Sequence, residues 1–167
     1  MSLVHYSPKD VSVTIAGFYQ VEGYVDGTFV NIIKDIKPFS VMKSMDGEVA
    51  RIYRKDESFK VELTLAQSSG ANDFLSSLYN IDVATQIGKF PLFIKDGRGT
   101  TNFLALTSWI EDIPNVSFSN GIESRTWVLG CTQATLHVGG NVPQSMMEQA
   151  LSLGTSMLPL LKNFGII

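Results

Sequence analysis

The chain has one cysteine and two histidines in 167 residues. With Cys131 alone no intramolecular disulfide forms, so nothing argues for a cross-linked secreted scaffold. His5 and His137 lie far apart, and neither stands in a metal-binding spacing of His, Cys, Asp or Glu, so no metal site is expected. His137 reads as a hydrogen-bonded sheet residue. No run of 18 apolar residues occurs, which argues against a helical membrane span or anchor. The N-terminus lacks a positive segment followed by an apolar one and does not read as a signal peptide. Internal repeats, low-complexity tracts and coiled-coil heptads are missing too. A formal net charge of −3 argues against gripping nucleic acid by phosphate neutralisation.

Convergent catalytic groups are equally scarce. Cys131 sits in a strand pattern, where a buried thiol is inert. Lys95-Asp96-Gly97-Arg98-Gly99 offers backbone N–H groups and two cations but lacks the strand–loop–helix context of a phosphate loop, so it reads as a hairpin turn. Glu111 and Asp112 are adjacent in a strand, point to opposite faces and frame its end. No set of acid, base and nucleophile assembles. The chain reads as no enzyme, with no catalytic residue and no cofactor assigned.

What is present is β patterning in one domain long enough to bury a core unaided. Residues 1–9 read as an extended lead-in. Residues 10–18 alternate, with Val11, Val13 and Ile15 on one face. Asp26-Gly27 signals a hairpin into a strand at 28–34 that is apolar on both faces. In residues 59–67, Phe59, Val61, Leu63 and Leu65 alternate with Lys60, Glu62 and Thr64, giving a dry and a wet face. A helix of about two to three turns starts within 67–72, its apolar side built from Phe74, Leu75, Leu78 and Tyr79. Strands are expected at 90–94 and at 101–110, the latter with Phe103, Ala105 and Trp109 opposite Leu104, Leu106 and Ile110. Pro114 ends it. A further strand begins at Val116 and Phe118 and turns at Asn120-Gly121 into a long strand over 122–138, with Gly130 a bulge or a close approach. After Gly139 and Gly140, Ser145 and Glu148 have capping-box spacing. Met146, Met147, Ala150, Leu151, Met157, Leu158 and Leu161 recur at helical intervals, so 141–167 is expected to be an amphipathic helical extension.

Charge is concentrated in one stretch. Residues 34–62 carry seven basic and six acidic side chains, whereas the rest of the chain has six and ten. This arm opens at Pro38, turns at Met45-Asp46-Gly47-Glu48 and interleaves its charges with Phe39, Val41, Met42, Met45, Val49, Ile52 and Tyr53. A solvated loop does not need those apolar groups. A docking element does, because apolar contact gives affinity and charge pattern gives register. Strands dry on both faces and a Met- and Leu-rich tail also ask to be covered, which neighbouring copies would do.

These segments resemble the tail tube proteins of contractile-tailed bacteriophages, the Hcp-like tube fold. The resemblance rests on Ser12-Val13-Thr14-Ile15-Ala16-Gly17, on the Met45-Asp46-Gly47-Glu48 turn followed by Arg51 and Arg54-Lys55-Asp56, and on residues 59–67. It continues through the helix start from Ser68-Ser69 to Leu78 and the Leu129-Gly130 strand. It is a pattern over roughly residues 8–140 rather than one diagnostic motif.

The resemblance implies a small antiparallel β-barrel or sandwich over 1–140 with one packed helix. It also implies a protruding inter-ring hairpin at about 37–57, beside the expected C-terminal helix. It implies six copies per ring and rings stacked into a hollow tube in a virion tail assembled in the bacterial cytoplasm. Sheath, baseplate and tail terminator proteins would be partners, and DNA would pass through without specific binding. Met42, Lys43, Met45, Asp46, Glu48, Arg51 and Arg54 are the inter-ring candidates, and Lys60 and Glu62 the lumen candidates. The alternatives are the tube of a contractile bacteriocin or secretion apparatus, and a small barrel that binds a ligand or polypeptide as a monomer.

Overall fold

The computed structural model describes residues 5–141. The expected C-terminal helix therefore lies outside the described residues. The lead-in tightens into one 3-10 turn at Pro8–Asp10, where Ser7 accepts from the Lys9 N–H, before the chain extends. In β1 (Val11–Ile15) the expected alternation holds, with Val13 and Ile15 buried. The strand stops at Ala16 and Gly17, whose φ angles of 58° and 81° reverse the chain into the short β2 (Tyr19–Gln20).

Seven strands form one antiparallel sheet in the order β2-β1-β7-β8-β9-β6-β3. The members not yet placed are β3 (Val30–Lys34), β6 (Phe59–Ala66), β7 (Phe90–Asp96), β8 (Asn102–Asp112) and β9 (Ser124–His137). Asp26-Gly27 is a bend rather than a hairpin turn, because β2 and β3, the strands on either side, occupy opposite edges of the sheet. The connection between them curls the sheet toward closure. Val21 donates to Val13 in β1, while Ala66 in β6 donates to Gly23 and Thr64 to Phe29.

β6 is as its alternation foretold: Phe59, Val61, Leu63 and Leu65 are buried and the residues between them are half-buried. β3 has apolar groups on both faces, as its sequence suggested, but only one face is covered. Val30 and Ile32 face inward, half-buried, and Asn31 and Ile33 are exposed.

β8 and β9 slip phase together. In β8 Phe103 and Ala105 point inward, then Ser108 and Ile110 do. Against β7 the slip is a bulge: Leu92 pairs with Ala105, but Phe90 pairs with Ser108. In β9 Leu129 and Cys131 are buried, then Ala134, with the left-handed Gln133 (φ 50°) between. Paired slips in adjacent strands bend a sheet sharply. They also reverse the expected faces, because Ile110 joins Phe103 and Ala105 inside while Trp109 lies half-buried outside, over Gly130. A Cβ on Gly130 would stand 2.7 Å from the Trp109 ring, so Gly130 is a close approach and not the bulge.

No strand forms at Val116 and Phe118. Residues 113–123 are an irregular crossing held by Arg125, which is buried, donates to Ser117 O at 3.0 Å and lies 5.6 Å from the Phe118 ring centre. Asn120-Gly121 is accordingly a bend inside the loop that joins β8 to β9. Lys95-Asp96-Gly97-Arg98-Gly99 makes the β7–β8 turn, with Asp96 accepting the Arg98 N–H and the Arg98 side chain reaching Asp10 at 3.1 Å.

The helix α1 (Ala71–Thr85) has 15 residues, about four turns, longer than the expected two to three. Its first half buries Ala71 and Leu75 and stacks Phe74 on Tyr19 at 3.9 Å. The added turns bring Ile81 and Val83 to the surface, so they carry no apolar stripe to read. Asn72 ties the helix start to the sheet. It donates to Ala66 O and Ser69 O and accepts from Trp127 Nε1 at 2.9 Å. Asn72→Ala orphans the buried indole N–H and should lower stability by about 1–3 kcal/mol. A urea midpoint indistinguishable from that of the unaltered chain would contradict this packing.

Candidate assembly interface

The arm is a ribbon standing apart from the sheet. Among the described residues β4 (Phe39–Lys43) and β5 (Val49–Tyr53) pair only with each other, and every residue of both is exposed. The turn forms where expected. Gly47 takes φ 85°, Gly47 donates to Ser44 O at 3.1 Å, and Ser44 donates to Glu48 O at 2.9 Å. At the base Arg54 donates to Pro38 O at 2.7 Å and Asp35 to Ser58 O at 3.2 Å. Lys34 stands 3.9 Å from the Asp56 carboxylate and 4.6 Å from the Phe59 ring centre. The two legs of the arm are thus fastened where they leave the sheet.

Period-two geometry divides the ribbon into two faces. Phe39, Val41, Lys43, Val49, Arg51 and Tyr53 share one; Ser40, Met42, Ala50 and Ile52 share the other. On the first, Phe39 and Tyr53 lie 5.2 Å apart and the Arg51 guanidinium sits 3.9 Å over Phe39. The second carries no charge. The inter-ring candidates therefore separate: Met42 on the uncharged face, Lys43 and Arg51 on the aromatic face, Met45 and Asp46 at the tip, Glu48 closing the turn and Arg54 at the base.

The lumen candidates share the outward face of β6. Lys60 pairs with Glu111 at 3.6 Å, and Glu62 accepts from Asn31 at 3.4 Å. Glu111 and Asp112 lie exposed at the end of β8, where the sequence placed them. The same sheet exposes Phe93, Leu104 and Leu106 on its outside, a patch that the two-sided apolar pattern of β8 signalled without showing which face was open. Along β3, residues 29 and 35 bond toward β6, so the N–H and C=O groups of Val30, Ile32 and Lys34 point to the open edge.

Chemical groups do not converge. Cys131 is buried, accepts a hydrogen bond from Ser108 at 3.3 Å and has its thiol pushed up to about 11 by burial. His5 and His137 are exposed, His137 at the end of β9. Among the described residues no group of three His, Cys, Asp or Glu is arranged to hold a metal ion, and no helix is long and apolar enough to cross a membrane.

No protein-family model matches the chain. It is 26% identical over 161 residues to "Structural protein ORF10" of Pseudomonas phage KPP10, covering 91% of this chain and 93% of that one. Its fold is similar to that of a chain from the anti-feeding prophage cap, described as a tube terminating cap. The TM-score is 0.52 at 16% identity, over 83% of this chain and 95% of the other. A chain from the PVC sheath-tube complex of an extracellular contractile injection system gives a TM-score of 0.52 at 11% identity, covering 79% and 90%.

Asp56 makes the base of the arm pH-sensitive. Its carboxyl is held below the usual range by the Ser58 N–H at 2.7 Å, then by the Ser58 hydroxyl, with Lys34 and Arg54 adding to this. A lowered folded-state pKa gives stability that is present above the ordinary value, about 4, and is lost as pH falls through the folded one. Asp56→Asn should therefore lower the urea midpoint at pH 7 and differ less from the parent at pH 3. A gap that stays constant over that range would rule out the carboxylate as the cause.

Proposed function

We propose that this chain is a structural subunit of a contractile phage tail or a related injection machine, and that it builds the inner tube as stacked six-membered rings. The observation that carries the reading is the exposed ribbon. A two-stranded hairpin is marginal in water by itself, and this one holds seven exposed large apolar residues at or between β4 and β5: Phe39, Val41, Met42, Met45, Val49, Ile52 and Tyr53. Contact with the next ring would cover them. Arg51, folded over Phe39, stiffens the ribbon, and Lys43, Asp46, Glu48 and Arg54 are left to set register against the partner.

Within a ring, the unpaired edge groups of Val30, Ile32 and Lys34 would find partners in a neighbouring copy, which also protects the edge from indiscriminate pairing. In the bore, a surface with Lys60 offset by Glu111 and with Glu62 beside it presents no net positive charge. DNA could then slide rather than bind. The likeness to a phage structural protein supports the virion setting, with sheath, baseplate and terminator proteins as neighbours.

A second reading makes the chain the terminating cap of such a tube. The likeness to the anti-feeding prophage cap favours it, but the sheath-tube chain matches with the same TM-score, so fold does not choose. Negative-stain electron microscopy of the purified chain separates them: the tube reading expects open-ended stacks, and the cap reading expects single rings. Deleting residues 40–53 should leave rings that no longer stack. Isolated single chains at micromolar concentration would contradict both readings, and intact long tubes from the deletion would contradict the role of the ribbon.

A further inference from the structure

The ribbon and a buried cation lie at opposite ends of one strand. The ribbon leaves the sheet where Lys34 of β3 pairs with Phe59, the first residue of β6. At the other end of β6, Leu65 pairs with Arg125 of β9 and Ala66 with Ser124. Over this eight-residue strand the two places are roughly 23 Å apart. Attachment points at opposite ends of a body suit a head-to-tail contact, which repeats into a filament without closing on itself.

Arg125 is 6% exposed, the one buried cation among the described residues. Its guanidinium donates to Ser117 O at 3.0 Å and to Ser124 O at 3.2 Å, and the fork has more donors than these bonds use. The ion pairs among the described residues are Lys34–Asp56, Lys60–Glu111 and Arg98–Asp10, and Arg125 is in none of them. Carbonyl oxygens orient a guanidinium without neutralising it, and a buried charge is costly without a counterion. Arg125 lines a hollow of about 360 Å³ between α1 and the crossing at 113–118. Ile113, Pro114, Val116 and Phe118 give that hollow an apolar wall. Among its other polar groups, Trp127 donates to Asn72 and Gln67 accepts the Glu123 N–H. Ser76, Tyr79 and Asn80 of α1 add hydroxyl and amide donors on the facing side. The hollow is thus suited to a short acidic side chain with an apolar companion.

The ribbon tip has that composition. Met45 is fully exposed, and the Asp46 carboxylate beside it enters no ion pair among the described residues. The turn is closed by Ser44, Gly47 and Glu48, which leaves both tip side chains out of its hydrogen bonds. Because the ribbon starts from the far end of the sheet and stands apart from it, a second copy is the natural source of the tip.

Resting on the stacked-ring reading, we propose that the Met45-Asp46 tip of one copy seats in this hollow on a copy in the next ring. Asp46 pairs with Arg125, and Met45 lies against Val116 and Phe118. The test co-assembles two full-length variants, Met45→Cys and Val116→Cys, within an excess of the unaltered chain under mild oxidation. Both positions are exposed, and the native Cys131 is buried. A disulfide joining the two variants is expected in stacks seen by electron microscopy. Adding Asp46→Lys to the first variant should lower its yield at least about tenfold, as loss of a buried charge pair implies, and Asp46→Glu should keep it. Stacks that lack the disulfide, or that keep its full yield with Asp46→Lys, would overturn the seat and leave the stacked-ring reading standing. A disulfide formed in unstacked rings would also overturn it, because the tip would then sit on a ring neighbour. Single chains alone would remove the stacked-ring reading and the seat together.

Discussion

An antiparallel ribbon of two five-residue strands, with no third strand and no layer beneath it among the described residues, is marginal on its own hydrogen bonds. The protein nevertheless spends part of its chain on such a ribbon, loads it with apolar side chains and fastens both legs where they leave the sheet. The rest of the molecule is consistent with this. A rigid body is needed to aim a projecting element, and here the body is a bent sheet with a continuous core. Internal stiffening is local: the Arg51 guanidinium over Phe39 and the Phe39–Tyr53 contact occupy one face, leaving Met42 and Ile52 prominent on the other.

The sheet has the complementary property. It bends through paired slips in β8 and β9, and the connection after β2 partly closes it against β6. Among the described residues its ordering leaves β3 with one side free, and the free groups belong to alternate residues, as another strand would require. Exposed Phe93, Leu104 and Leu106 add an apolar outer face. A molecule with an open edge, an apolar outside and a projecting ribbon is poorly matched to water alone, but well matched to copies of itself.

Much of this could be read from residue order where local physics governs. The alternation of β6 predicted its burial residue by residue, and Met45-Asp46-Gly47-Glu48 predicted the ribbon tip because Gly47 is the residue that takes a positive φ there. What escaped was set by contacts distant in sequence. The faces of β8 reversed because a bulge against β7 slips the phase after Ala105. The supposed strand at Val116 and Phe118 gave way to a loop tied to the buried Arg125, whose role no alternation pattern encodes. Asp26-Gly27 and Asn120-Gly121 read as hairpin turns but are bends inside longer connections, because what a turn joins is set by sheet topology. The candidate charges of the arm were found as a cluster, and only the strand register showed that they sit on different faces.

Copies of this small β body would complete one another, sideways along the open edge and lengthwise through the ribbon. Native mass spectrometry of the intact chain at micromolar concentration addresses this most directly. The account predicts a dominant species with the mass of six chains, or multiples of six where rings stack. A spectrum of single chains alone, unchanged as concentration rises, would contradict it.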